Sequence, residues 1–152
     1  MSRGPLVAAA FMIGFATPAD AQQGAPETCL DTATTQTAMS RCAGEALKAE
    51  EQRLKQLLNE LQDSLEAPQR AQLESAQRAW KAYATAECKF EASASEQGSM
   101  YPMQVSLCRR RLAEQRIREL APLLCGPPAG GGNGCAAAQA YLGRPRGGGG
   151  RR

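Results

Sequence analysis

Six cysteines, Cys29, Cys42, Cys88, Cys108, Cys125 and Cys135, are the residues of this chain best equipped for chemistry, and no histidine accompanies them. Without an imidazole, neither a Ser–His nor a Cys–His nucleophile pair can be assembled, and no histidine can ligate a metal. A tetrathiolate zinc site wants cysteine pairs separated by about two to four residues. Here no two cysteines have fewer than nine residues between them. The remaining chemistry is oxidation in pairs, which an even cysteine number in an exported chain normally signals. The expectation is therefore no catalytic residue, no metal site and no cofactor.

Three helical segments are available to position these cysteines. Leu47, Leu54, Leu58, Leu61 and Leu65 recur at spacings of seven, four, three and four, which predicts a helix from about Thr34 to Glu66 with one apolar stripe. Thr34 or Thr35 suits its N-cap, and Pro68 ends it or opens the next helix. A second helix is predicted from about Pro68 to Glu96, with Leu73, Ala76, Trp80, Tyr83 or Ala84, and Glu87 beside Cys88 along its stripe. Gly98-Ser99-Met100-Tyr101-Pro102 interrupts the pattern. A third helix is predicted from about Met103 to Leu124, with Leu107, Leu112, Ile117, Leu120 and Leu124 available for burial. No segment alternates with a period of two, so the class is all-α: a three-helix antiparallel bundle or hairpin stapled by disulfides.

Helices two and three, folded back at Gly98, bring Cys88 and Cys108 level, each ten residues from the turn. Such a pair can reach the ~5.5 Å Cα separation of a disulfide. Cys29–Cys42 would fold the lead segment onto the first helix, and Cys125–Cys135 would close a loop beyond the third. Among 15 connectivities, this pairing alone is local throughout.

The flanks differ in kind from the middle. Residues 1–21 read as a signal peptide: Arg3, an apolar run from Leu6 to Ala16, then Ala19-Asp20-Ala21. The run is eleven residues, short of the ~20 that cross a bilayer, so cleavage is expected rather than an uncleaved anchor. The mature chain is expected in the periplasm or secreted, with no membrane span. Residues 22–125 form the expected domain, with 13 basic and 14 acidic residues and hence a net charge of −1. Residues 126–152 carry four arginines and no acid among Gly- and Pro-rich runs, GPPAGGGNG and RPRGGGGRR. They are expected to be a flexible tail able to hold anionic polymers. A near-neutral domain offers no nucleic-acid footprint.

The order of the motifs is itself informative: Cys29, TTQTAMSRCA (34–43), LNELQDSL (58–65), AQRAWKAYATAEC (76–88), GSMYPM (98–103), Cys108 and RIREL (116–120). Over about Cys29 to Leu120 the chain resembles the LprI-like lysozyme-inhibitor domains, small exported helical proteins of bacteria. The resemblance implies binding without catalysis, with a lysozyme or another envelope protein as partner; a structural or adaptor role in the envelope is the alternative. It leaves the oligomeric state open. The Cys125/Cys135 pair and the tail look like additions to the family pattern.

Individual residues carry further expectations. Trp80, on the inner stripe of helix two, is expected in the core. Glu87 and Arg116, by family position near the seam, are expected to join helices two and three as an ion pair or cap. Arg109-Arg110-Arg111 reads as an exposed face or as an anion site. Gly98, Ser99, Met100, Tyr101 and Pro102 form the candidate partner contact, or else Met100 and Tyr101 fold back to close the hairpin end.

Overall fold

A computed structural model of the chain describes residues 28–126 and 135–143. The expected signal peptide and the remainder of the expected tail lie outside these residues. Helix α1, Cys29–Thr32, is opened by Thr28, whose backbone N–H and hydroxyl both donate to Asp31 Oδ2 at 2.8 Å. Those two bonds favour the carboxylate and hold the Asp31 pKa below its ordinary value.

Helix α2 runs Gln36–Ser64, capped by the Thr35 hydroxyl, which accepts from the Ala38 N–H at 3.2 Å. Helix α3, Ala67–Glu91, follows after two residues, with Pro68 in its first turn, where a missing N–H costs nothing. A 3₁₀ turn at Ser93–Ser95 leads to helix α4, Tyr101–Leu120, which continues as a 3₁₀ turn over Ala121–Cys125. Among the described residues there is no strand.

Helix α4 is the centre of the bundle. Near the starts of both helices Gln36 touches Met103 Sδ, midway Glu51 meets Arg109, and near their ends Leu57 and Leu61 share a cluster with Ile117 and Leu120. Helices α2 and α4 therefore run in the same direction, and α3 lies antiparallel to both. The main core joins Leu54, Leu57 and Leu61 of α2 to Ala113, Ile117 and Leu120 of α4 and to Ala121. Leu57, absent from the expected stripe, is fully buried, whereas Leu58 is only partly so. The stripe centres on the face towards α4, which turns Leu58 towards α3.

A smaller cluster, Ala84, Cys88, Cys108 and Leu112, joins α3 to α4. The inner face of α3 is Leu73, Gln77, Trp80, Ala84 and Cys88. Ala76, expected on that face, is exposed instead, and of the alternatives Tyr83 and Ala84 it is Ala84 that is buried.

The three cysteine pairs are Cys29–Cys42, Cys88–Cys108 and Cys125–Cys135, with Cα separations of 5.5, 5.5 and 5.8 Å. The last bond brings in helix α5, Ala136–Leu142. Residues 126–152 are expected from composition to be one flexible tail, and over 135–143 the structure differs. AAAQAYL is a run of good helix formers without Gly or Pro, hidden in composition by the glycines around it. Ala138 is fully buried, and Tyr141 and Leu142 pack against the main core. Arg53 Nη2 donates to the Tyr141 carbonyl at 2.8 Å, and the Tyr141 hydroxyl donates to Glu60 Oε1 at 2.6 Å.

Truncating Leu57 to Ala should lower the free energy of unfolding by about 2–5 kcal/mol. Leu123→Ala, at a residue 57% exposed, should cost less than about 1 kcal/mol. Denaturant titration with the disulfides intact checks both.

Desolvation first, then the bond to Glu60 and its charge, push the Tyr141 pKa up to about 12, with Arg53 acting the other way. The folded chain thus holds the phenolic proton more tightly than the unfolded one. This contribution to stability is complete below pH 10 and disappears as pH rises from about 10 towards 12. Phenolate absorbance should show one of the three tyrosines titrating last, and Tyr141→Phe should remove that transition.

Candidate functional site

The hairpin end of α3 and α4 is built on the Cys88–Cys108 crosslink. Helix α3 stops one turn beyond Cys88, where the Ala92 N–H donates to the Cys88 carbonyl at 3.2 Å and the Ala92 side chain is buried. The Gly98 N–H then donates to Ser95 O at 2.7 Å, and Tyr101 N–H to Gly98 O at 3.2 Å. A Cβ on Gly98 would lie 3.3 Å from the Ser95 carbonyl oxygen, so a side chain there would crowd the turn. The Ser95 hydroxyl bonds the Gln104 side chain and ties the turn to α4.

On this braced turn Gly98, Ser99, Met100 and Pro102 are exposed, Met100 to 46%, while Tyr101 begins α4 half-buried. Phe90, one residue before the end of α3, is 75% exposed and adds to the same end of the molecule. The sequence signal for Phe90 was present but weak: an aromatic between Lys89 and Glu91, outside the inner stripe. From Glu87 to Pro102 the chain carries three acids, Glu87, Glu91 and Glu96, against Lys89. Glu91 is joined to Arg111 of α4.

The three consecutive arginines do not form an anion site, since each has its own carboxylate. Arg109 reaches Glu51 of α2 at 2.6 Å, Arg110 reaches Glu114 at 3.1 Å, and Arg111 takes Glu91. Arg109 and Arg111 therefore tie α4 to both neighbours.

Glu87 and Arg116 are not paired, contrary to expectation. Cys88 opposite Cys108 fixes the register, and counting eight residues outward brings Arg116 level with Trp80, two turns from Glu87. Arg116 bridges to α3 through Gln77, its Nε donating to Oε1 at 3.4 Å, and its Nη1 meets Glu119 at 3.2 Å. Trp80 is partly buried and touches both core clusters. It also lines an open groove between α2 and α3, with α4 as its base.

All six cysteines are consumed in disulfides, so none remains as a thiolate nucleophile or ligand. The described surface carries an apolar tip at Phe90 and Met100 and a polar-walled groove between α2 and α3. The family model described as lysozyme inhibitor LprI matches residues 29–120, from the first cysteine to the last turn of α4. No curated protein and no solved structure matches the chain.

Proposed function

We propose that this chain, which belongs to the LprI family of lysozyme inhibitors, is an exported binding protein that blocks a peptidoglycan-degrading enzyme by occlusion. The reading is carried by the hairpin tip. Phe90 and Met100 stand exposed beside a turn that a disulfide and backbone hydrogen bonds hold still. Exposed aromatics on a pre-organised scaffold supply contact area without ordering cost on binding. With Glu91 taken by Arg111, Glu87 and Glu96 outnumber Lys89 by one charge, an excess whose sign suits a basic enzyme surface. The domain as a whole is nearly neutral, so attraction is confined to this end.

A structural or adaptor role draws support from a different face. Ala76, Ala79, Tyr83, Ala86 and Phe90 follow one another at spacings of three, four, three and four, and all are exposed. That is the seam spacing of a helix that packs on a partner helix. An adaptor would be retained by an envelope protein through this face and leave lysis untouched.

The mature, oxidised protein should slow lysozyme lysis of cells in a dose-dependent manner. Phe90→Ala with Met100→Ala should weaken that inhibition about tenfold or more while helical circular dichroism stays unchanged. Undiminished lysis at a large molar excess of the native protein would remove the inhibitor reading. Equal inhibition by the double variant would remove the tip as its contact face.

A further inference from the structure

The groove between α2 and α3 has a volume of about 680 Å³, within the range of small-molecule sites. It exists because α2 and α3 touch near their shared turn, where Gln62 Nε2 donates to Glu74 Oε1 at 3.4 Å, and diverge from there while both rest on α4. Leu54, Leu58, Leu73, Trp80 and Ala113 supply its apolar surface.

Gln77 also lines this groove and is 7% exposed. Its amide cannot be turned round: the Arg116 guanidinium only donates, so Oε1 must face it. Nε2 is thereby left buried without a hydrogen-bond partner. Folded proteins rarely leave a donor in that condition. The charges around it are also unbalanced. Glu51 is taken by Arg109 and Glu74 accepts from Gln62, whereas Lys55, Arg78 and Lys81 line the groove with no ion-pair partner among the described residues. The groove thus carries a net positive charge, with Lys55, Arg78, Lys81 and Arg109 against Glu51 and Glu74. The chain's own RPRGGGGRR segment has the wrong sign to fill it.

We propose that this groove binds an acidic saccharide. The sugar ring lies against the Trp80 indole, a small shift of the Gln77 side chain uncovers its unpartnered Nε2 to a ring-substituent oxygen, and the carboxylate meets the Arg78 and Lys81 cations. Asn59 and Gln62 on the α2 wall offer amides that both donate and accept, the pattern that hydroxyls and acetamido groups require. An acidic amphipathic helix would match the charge, but the volume fits a short saccharide better than a helix of several turns. This site is separate from the hairpin tip and does not depend on the inhibitor reading.

Trp80 is the sole tryptophan, so intrinsic fluorescence reports the groove directly. Titration with the disaccharide of N-acetylglucosamine and N-acetylmuramic acid, which bears a carboxylate, should shift Trp80 emission saturably. Its neutral counterpart, chitobiose, should bind about tenfold more weakly or worse, as should the carboxylate sugar to Lys81→Glu or Arg78→Glu protein. Gln77→Met should fold and lose binding. No emission change at millimolar sugar, equal affinity for the two sugars, or unaltered affinity in the charge variants would overturn the proposal. A response only to an acidic helical peptide would likewise overturn it and make the groove a protein-docking site.

Discussion

The Cys88–Cys108 bond pins helix α3 to helix α4 and fixes the register between them. The buried side chains of α3 are Gln77, Ala84 and Cys88, with no leucine among them. The seam between α2 and α4 is of another kind, with Leu54, Leu57 and Leu61 interdigitating with Ile117 and Leu120. Leu73 and Trp80 add apolar contact but are only partly buried, so hydrophobic burial holds α3 less firmly than the leucine seam holds α2 on α4. The crosslink compensates by shortening the open states available to a 20-residue separation. Everything proposed to bind depends on where α3 sits. The tip is the continuation of α3 past Cys88, and the groove is the space α3 leaves by resting on α4 and not on α2.

Electrostatics reinforce that placement and consume charge in doing so. Arg109 and Arg111 fasten α4 to Glu51 of α2 and to Glu91 at the end of α3, and Arg53 reaches both Glu50 and the backbone of α5. These partly exposed pairs are individually weak, yet they leave a defined remainder. Lys55, Arg78 and Lys81 line the groove without an ion-pair partner among the described residues, and at the tip Glu87 and Glu96 are offset only by Lys89.

Much of the architecture was legible in the sequence because it rests on short-range signals. Gly98 and Pro102, Pro68 and the leucine period place the three long helices within a few residues of their observed ends, and cysteine spacing alone points to the three local pairs. The inner face of α3 was harder to read. Small alanines recur all round that helix, so periodicity does not distinguish Ala76 from Ala84, and only the position of Cys88 against α4 decides. The same register argument, applied from Cys88 and Cys108, places Arg116 beside Gln77 and Trp80 and away from Glu87. The groove was not legible, because it arises from two helices failing to touch, a fact no single helix encodes. Helix α5 was masked by the glycines around seven helix-forming residues.

The dependence of α3 on its crosslink is tested most directly by hydrogen exchange on native protein and on the Cys88→Ser/Cys108→Ser variant. Losing a crosslink worth about 3 kcal/mol should lower protection of the α3 amides about a hundredfold. Protection across Leu54–Leu61 and Ala113–Leu120 should fall far less. Unchanged protection in α3, or an equal loss through all three long helices, would contradict this account.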